Sequence, residues 1–369
     1  MLIAALSGRA LAVAARKAGY APLVADLFGD EDLCAAAAKA ARMPGNLKIG
    51  LVGQTTRKTL ARLATGKKCQ GLVWGTGFED RPELLANLAR MWPILGNSAE
   101  VVRRAKDPYH LAGLCEALGI AHPQIRQTAP RDTTDWLRKT MGGSGGAHVK
   151  IASEDAASCG KTYCQRKVDG CSVSALFVAN GERTLMIGFT DQWSNPTREA
   201  PLRYGGAVRP ASLNRHQKLA LGQIVGRISN ALGLRGLNSA DFIIEDQSYW
   251  LIEINPRPGA TLDIFDEVSA PLFSMHVEAC RGSLPERAPR YGGAAAAAIL
   301  YATRRVESFP RLDWPEWTAD RQRAGTRIEV GEPICTVRAK ARTRSLARAR
   351  VEERLGSISA LVEGKRLCT

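Results

Sequence analysis

The sequence has no apolar run approaching the roughly 20 residues of a membrane-spanning helix, which excludes an integral helical membrane protein. Arg9, Arg16 and Lys17 interrupt the apolar residues at the N-terminus and no cleavage site is evident, so no signal peptide is predicted. The sequence also lacks an RNA-binding signature and any interleaving of aromatic with basic residues. We therefore expect a cytoplasmic protein whose partners include neither a membrane nor a nucleic acid.

The sequence also lacks a cysteine spacing typical of disulfides or metal sites. The nine cysteines are scattered without a C-x-x-C pair, and the five histidines do not cluster. An odd number of cysteines without metal-ligand spacing indicates reduced thiols rather than a disulfide framework. The 369 residues, 45% of them hydrophobic, are nevertheless enough for two or three packed domains.

Acidic residues are outnumbered by basic ones. Lys and Arg total 51 against 36 Asp and Glu, which gives a formal net charge of +15. Such an excess suggests an anionic partner, whether nucleic acid, membrane surface or acidic small molecule. The basic residues are spread along the chain with some concentration at residues 338–354, so a solvated basic surface is the alternative. Of these partners, we expect an acidic small-molecule substrate.

The most informative stretch is residues 238–259, NSADFIIEDQSYWLIEINPRPG. Its alternation predicts a β-hairpin with strands at residues 241–245 and 249–254. The polar face of this hairpin would hold Asp241, Glu253 and Asn255. The opposite, apolar face would hold Phe242, Ile244, Trp250, Ile252 and Ile254.

The pairing of the two strands follows from these faces. Placing Asp241 opposite Glu253 keeps both faces intact, pairs Glu245 with Tyr249 and leaves a three-residue loop at residues 246–248. A two-residue loop would shift the pairing by one residue and mix the faces. Three oxygen-bearing side chains at the ends of a rigid hairpin suit a hard cation such as Mg²⁺. Solvated acidic residues on an amphipathic hairpin would give the same pattern.

The end of the stretch, Glu-Ile-Asn-Pro-Arg-Pro-Gly at residues 253–259, resembles the metal signature of the ATP-grasp superfamily. The resemblance implies that Asp241 binds one Mg²⁺ ion, that Glu253 bridges two ions and that Asn255 completes the second, with Mn²⁺ as an alternative ion. It also implies that Arg257 lies beside the phosphoryl group in transfer, where a planar guanidinium neutralises developing charge.

The start of the chain predicts a β-α-β unit of a parallel sheet. Residues 2–6 and 22–27 have strand character, and a helix through residue 18 lies between them. Residues 71–75 predict a later strand of the same sheet. A short α/β domain at this place is similar to the one that precedes the nucleotide site in ATP-grasp ligases.

A glycine-rich loop follows in the middle of the chain. Residues 136–139 and 147–150 predict two strands joined by Gly-Gly-Ser-Gly-Gly at residues 142–146, and the backbone N–H groups of such a loop can approach phosphate oxygens. The resemblance makes Lys139 a catalytic, phosphate-binding lysine and Lys106 the first phosphate-binding lysine, although an exposed helix-cap role would explain Lys106 equally. The nucleotide-binding residues implied in the loop are Gly143, Ser144 and Gly145.

Residues 163–170, YCQRKVDG, resemble the strand and hinge that hold adenine in this superfamily. An edge strand would offer the Val168 N–H and a carbonyl to the adenine edge, with Gln165 near the exocyclic amine. Many relatives have a ribose-binding Glu soon after the hinge, whereas this chain has Cys-Ser-Val-Ser at residues 171–174. The alternative is an ordinary strand and turn.

The resemblance covers most of the chain and implies the α/β class with an α+β lid. It implies an ATP-grasp fold with an N-terminal parallel-sheet α/β domain, a small lid and a larger antiparallel-sheet catalytic subdomain. The expected boundaries are residues 1–97 for the N-terminal domain, 98–180 for the lid, 181–290 for the catalytic subdomain and 291–369 for a C-terminal subdomain.

The activity implied by the resemblance is ADP-forming carboxylate–amine ligation through an acyl phosphate, with ATP and two Mg²⁺ ions. The N-terminal segment and residues 253–261 also resemble ligases of one-carbon coenzyme synthesis, including the tyramine–glutamate ligases of methanofuran biosynthesis and their methylotroph relatives. This implies glutamate and an aromatic amine or amino acid as substrates. Two alternatives remain, namely a biotin-carboxylase-like or purine-type carboxylating enzyme and a non-catalytic nucleotide or nucleic-acid binding protein. A homo-oligomer is left open.

Overall fold

The computed structural model of the chain describes residues 1–153 and 160–364. The strands in these residues form a five-stranded parallel sheet, a four-stranded antiparallel sheet and an eight-stranded antiparallel sheet, in that order along the chain. The predicted combination of an N-terminal parallel sheet with antiparallel sheets is confirmed.

The parallel sheet has the strand order β3-β2-β1-β4-β5. Its strands are β1 (Leu2–Ala4), β2 (Leu23–Asp26), β3 (Lys39–Arg42), β4 (Leu72–Trp74) and β5 (Ile94–Leu95). Helix α1 (Arg9–Lys17) connects β1 to β2 and is followed by a left-handed glycine, Gly19. The β-α-β unit predicted at the start of the chain is therefore confirmed.

The four-stranded sheet has the order β6-β9-β7-β8. Its strands are β6 (Ile125–Arg126), β7 (Trp136–Thr140), β8 (Val149–Ile151) and β9 (Thr162–Arg166). The strands predicted on either side of the glycine-rich loop correspond to β7 and β8. Because Lys139 pairs with Val149, the loop lies at the shared end of these two strands.

The eight-stranded sheet has the order β14-β13-β10-β11-β12-β15-β17-β16. Its strands are β10 (Cys171–Asn180), β11 (Thr184–Ser194), β12 (Tyr204–Arg209), β13 (Arg235–Glu245), β14 (Ser248–Asn255), β15 (Ala294–Tyr301), β16 (Thr318–Ala319) and β17 (Pro333–Ala341). Strands β14, β13 and β10 lie side by side, so residues paired across these strands share one face of the sheet.

Helices flank the sheets and connect their strands. The remaining helices are α2 (Glu31–Ala36), α3 (Gly53–Ala64), α4 (Pro82–Ala89), α5 (Ala99–Lys106), α6 (Pro108–Ala117), α7 (Arg215–Leu232), α8 (Leu262–Phe265), α9 (Leu272–Cys280) and α10 (Arg344–Gly364). Helix α7 begins with a capping box formed by Asn214 and Gln217 and ends at the left-handed Gly233. Within residues 1–153 and 160–364, no helix combines the length and the apolarity needed to span a bilayer.

The hairpin of β13 and β14 contains the predicted pairing of Asp241 with Glu253 but has a different turn. Glu245 pairs with Ser248, so the loop consists of residues 246–247 only. A β-bulge immediately after Asp241 absorbs the one-residue difference and restores the predicted pairing of the two acidic residues. The three-residue loop predicted from the sequence is therefore wrong, because a shorter turn and a bulge together keep the polar face intact.

The same bulge changes which apolar side chains of the hairpin reach the core. Phe242 and Ile254 are fully buried, as predicted. Leu251 is also fully buried, whereas Trp250 and Ile252 are only partly buried. The assignment of Trp250 and Ile252 to the core was wrong, because the bulge reverses the alternation between the two strands.

A buried acidic cluster lies at the carboxyl ends of β1 and β2. Arg9, only 2% exposed, donates hydrogen bonds to the carboxylates of Asp263 and Asp320. Asp30 is 1% exposed, and neither of its carboxylate oxygens has a hydrogen-bond partner in the described parts of the chain. Burial raises the pKa of Asp30 well above its ordinary value, and the neighbouring carboxylates, Asp320 first among them, raise it further.

Asp30→Asn should stabilise the protein at alkaline pH. A carboxyl whose pKa is raised by folding is penalised once it ionises, so stability falls as the pH rises above the unfolded-state value of about 4. The amide cannot ionise, so the variant should have a higher Tm than wild type at pH 8 and no advantage near pH 4. Thermal unfolding at both pH values tests this, with the exposed Asp313→Asn as control. An Asp30→Asn gain that did not vary with pH would contradict the assignment.

Candidate active site

A polar row crosses three adjacent strands of the eight-stranded sheet. Asp241 on β13 pairs with Ser174 on β10 and with Glu253 on β14. The Ser174 hydroxyl donates to Asp241 Oδ1 at 2.6 Å, and Asn255 Nδ2 donates to Asp241 Oδ2 at 2.8 Å. The alternation of side chains on neighbouring strands therefore brings the three predicted metal ligands together on one face.

Lys106, the last residue of α5, points into this row. Its Nζ donates to Glu253 Oε1 and to Asn255 Oδ1, the latter at 3.2 Å. The Lys106 side chain is 6% exposed, so its interpretation as an exposed helix-cap lysine is wrong. Glu253 Oε1 and Asn255 Oδ1 therefore form a site that accepts a positively charged group.

The two carboxylates of the row have opposite pKa shifts. Burial, together with the charge of Glu253, raises the pKa of Asp241 to about 6. Burial would also raise the pKa of Glu253, but Lys106, Lys139 and His148 outweigh it and hold that pKa at about 2. Glu253 is therefore ionised at every pH at which the protein would be assayed.

This donor set suits a hard divalent cation. Asp241, Glu253 and Asn255 all supply oxygen atoms, which Mg²⁺ prefers. In residues 1–153 and 160–364, no group of three or more His, Cys, Asp or Glu side chains could hold a metal ion. The candidate site instead combines two carboxylates with one amide, and the Lys106 ammonium already contacts two of the three residues.

Lys139 and Gln165 are joined across the four-stranded sheet. Lys139 Nζ on β7 donates to Gln165 Oε1 on β9 at 2.8 Å, and both side chains are buried. Burial lowers the pKa of Lys139, and the nearby charge of Glu253 opposes that effect. Val168 lies in the segment between β9 and β10 and lines the same cavity as these two residues. The structure thus places the predicted phosphate lysine beside the predicted adenine-contacting residue.

The glycine-rich loop packs between two other parts of the chain. A Cβ atom at Gly146 would lie 1.9 Å from the carbonyl oxygen of Leu202, and one at Gly142 would lie 2.7 Å from Asp80 Cα. The carbonyl of Gly145 accepts a hydrogen bond from the Tyr204 N–H at 2.9 Å. Only glycine allows this close approach, which holds Gly143, Ser144 and Gly145 at the edge of the site.

Arg257 is attached to the N-terminal parallel-sheet unit. Its guanidinium is buried, and its Nε donates to Glu79 Oε1 at 2.7 Å. The other carboxylate oxygen of Glu79 accepts hydrogen bonds from the backbone N–H groups of Gly77 and Phe78. Burial opposes ionisation of Glu79, but Arg257 and Lys106 keep its pKa below the ordinary value. Sequence analysis missed Glu79, because no motif surrounds it.

Arg257→Lys should leave ATP affinity nearly unchanged and lower the rate of ADP formation by roughly 10²-fold, the magnitude of one lost charge-stabilising donor. A lysine cannot pair with Glu79 and also present a planar fork to a substrate. Single-turnover ADP formation and equilibrium ATP binding separate these effects, with the exposed Arg281→Lys as the control. Equal losses in rate and affinity would make Arg257 a binding or structural residue.

These groups surround a cavity of about 1250 Å³. Lys106 and Gly143 are not part of its lining, although Lys106 reaches it through Glu253. The predicted residues that line the cavity are Lys139, Ser144, Gly145, Gln165, Val168, Asp241, Glu253, Asn255 and Arg257. Lining residues that the sequence did not reveal include Ser174, Tyr204 and His148. The only signal for Ser174 was its place after the hinge, where relatives have a ribose-binding Glu.

A comparison with known protein families finds a match for the central part of the chain. Residues 105–261 match the family profile of the ATP-grasp domain, and that range contains every site residue predicted from the sequence. An uncharacterized protein of Methanocaldococcus jannaschii is 24% identical over 274 residues, which cover 70% of this chain and 67% of that protein. The carbamoyl phosphate synthase large chain of Vibrio parahaemolyticus is 22% identical over 256 residues, which cover 62% of this chain and 23% of that larger protein.

Solved structures extend the likeness to nearly the whole chain. The biotin carboxylase domain of 2-oxoglutarate carboxylase from Hydrogenobacter thermophilus, solved with MgADP and bicarbonate, has a TM-score of 0.73 at 12% identity and covers 95% of this chain and 88% of its own. The L-amino acid ligase from Bacillus licheniformis has a TM-score of 0.70 at 14% identity, with 96% of each chain covered. The chain has the ATP-grasp fold, which confirms the fold implied by the resemblance, and residues 105–261 match the ATP-grasp domain.

Proposed function

We propose that this chain is an ATP-dependent, ADP-forming carboxylate–amine ligase. The observation that carries the proposal is that Asp241, Glu253, Asn255 and Lys139 line one cavity, where Lys106 bonds to Glu253 and Asn255. A protein that only bound nucleotide would not need two carboxylates and two lysines around the same point. The structural similarity to an L-amino acid ligase supports the same class of reaction.

The roles of the residues follow from their chemistry. Mg²⁺ ions held by Asp241, Glu253 and Asn255 would neutralise phosphate charge. Lys139 supplies a buried cation to phosphate oxygens, and the loop at residues 142–146 supplies backbone N–H groups. Arg257, fixed by Glu79, stabilises charge on the transferred group. The loop also excludes water from the acyl phosphate intermediate.

We propose glutamate as the carboxylate substrate and an aromatic amine or amino acid as the acceptor, in a methanofuran- or methylofuran-type coenzyme pathway. Basic side chains at the rim of the cavity, including Arg166 and Arg344, support an acidic substrate. The aromatic rings of Trp193, Tyr204 and Tyr301 also line the cavity and support an aromatic acceptor.

ADP release is the measurement that separates the candidate functions. Glutamate with tyramine should release ADP and form an amide, and omitting either substrate should suppress amide formation. Bicarbonate with biotin should give no ADP above background. ADP release only with bicarbonate would instead indicate a carboxylating enzyme, which the biotin carboxylase likeness makes the second candidate. ATP binding without ADP release under either condition would indicate a non-catalytic protein.

A further inference from the structure

His148 lies between the glycine-rich loop and β8 and lines the candidate active-site cavity. Its ring packs against Gly143, where a Cβ atom would lie 2.3 Å from both His148 Cγ and Cδ2 and 2.7 Å from Nδ1. Because any larger residue at position 143 would displace the ring, the glycine fixes the imidazole.

The charges that act on the ring belong to the phosphate end of the site. They are those of Glu253, Lys139 and Lys106. Burial first, and then the two lysines, lower the pKa of His148 below its ordinary value, while Glu253 and the Ser144 backbone oppose this shift. Burial and the two lysines therefore favour the neutral form of the imidazole.

The ring is held by its packing against Gly143 and by the Ser144 backbone. Nδ1 is buried and makes no hydrogen bond within residues 1–153 and 160–364. The other basic groups at this end of the cavity are already engaged, since Lys106 bonds to Glu253 and Lys139 to Gln165. A neutral imidazole beside these paired groups is available to accept a proton.

We propose that His148 is a catalytic residue of the amide-forming step, in which its ring accepts a proton from the attacking amine. The inference rests on the proposed ligase function. The amine nitrogen uses its lone pair to form a C–N bond with the carbonyl carbon of the acyl phosphate, and the C–O bond to phosphate breaks. The proton lost by the nitrogen passes to the unprotonated nitrogen of the His148 ring and then to the departing phosphate or to water, so the ring returns to its neutral state.

Two nucleophiles distinguish this role from a role in acyl phosphate formation. Hydroxylamine is a strong nucleophile of low basicity and is uncharged at neutral pH, so its attack depends little on a base. In His148→Gln, hydroxamate formation from glutamate and ATP should stay within a few-fold of wild type. Amide formation with tyramine should fall by about 10²-fold or more, the usual contribution of a general base. The exposed His216→Gln on α7 serves as the matched control.

The outcomes distinguish a failure of the role proposed for His148 from a failure of the proposed ligase function. Hydroxamate formation shows that the variant is folded and still activates the carboxylate, so a selective loss of amide supports the assignment. Parallel loss of hydroxamate and amide, or no loss of either, would refute the role of His148 alone. A wild-type protein that formed neither product from glutamate would refute the proposed function and this inference with it. A smaller variant, His148→Ala, should recover amide formation when imidazole is added.

Discussion

Glu253→Gln should abolish ADP formation while leaving the protein folded. The substitution keeps an oxygen for the Lys106 ammonium but removes the negative charge that pairs with Lys106 and acts on Lys139. In the proposed function Glu253 holds metal ions, and the loss of such a charge would cost several kcal/mol in phosphoryl transfer, so we expect a loss of roughly 10³-fold or more. Single-turnover ADP formation at saturating ATP measures the effect.

The substitution removes a full negative charge, because Lys106 and Lys139 hold the pKa of Glu253 well below its ordinary value. Glu245→Gln is the matched control, since Glu245 lies on the same hairpin and is exposed. Circular dichroism and Tm separate lost chemistry from lost structure. Near-normal turnover in a folded Glu253→Gln protein would rule out the metal assignment.

The hairpin shows what local sequence can and cannot determine. The need to keep polar and apolar faces apart was enough to predict that Asp241 faces Glu253. The loop length was not predictable, because a two-residue turn with a bulge and a three-residue turn without one satisfy the same pairing. The bulge then decided that Leu251, rather than Trp250, is buried.

The glycine-rich loop was predictable because its sequence signal lies within one short segment. Two strands flanking a glycine run give β7 and β8 from periodicity alone, and Lys139 follows from its place on β7. The partner of Lys139 was not predictable in the same way. Gln165 lies 26 residues away on β9, and only the strand order of the sheet brings the two side chains together.

Glu79 illustrates the limit of sequence reasoning. It is 178 residues from Arg257, lies outside the stretch that matches the ATP-grasp domain and has no surrounding motif. Carboxylates in loops are usually exposed, so the place of Glu79 after a strand does not predict its burial. Glu79 is buried against Arg257 because the parallel sheet packs against the eight-stranded sheet. No pattern within either segment encodes that contact.

Arg9→Met should be the most destabilising of the substitutions considered. Arg9 is buried at the start of α1, and its guanidinium donates to Asp263 at 2.5 Å and to Asp320 at 2.8 and 3.0 Å. Arg9 follows the first strand of the parallel sheet, Asp263 follows the β13–β14 hairpin and Asp320 follows β16. These contacts therefore connect three separate parts of the chain. Removing one partner from a buried ion pair costs about 3–5 kcal/mol, because the remaining carboxylates stay buried without their counter-charge.

The pH dependence follows from Asp320. Burial would raise its pKa, but Arg9 outweighs burial and holds it below the ordinary value. A depressed carboxyl pKa contributes stability above the unfolded-state value of about 4, and that contribution is lost as the pH falls through the folded value. The difference in free energy of unfolding between wild type and Arg9→Met should therefore be larger at pH 7 than at pH 4. Denaturant unfolding at both pH values measures it.

A double-mutant cycle tests whether the effect is due to the ion pair rather than to lost packing of a long side chain. Asp263→Asn should cost less in the Arg9→Met background than in wild type, since its partner is already absent. Arg16→Met is the matched control on the same helix, because Arg16 is exposed and, in the described parts of the chain, its guanidinium donates to the backbone carbonyls of Ala35 and Ala36 at 3.3 Å. Equal costs of Asp263→Asn in both backgrounds would show that Arg9 stabilises the fold through packing, and the cluster would then be electrostatically unimportant.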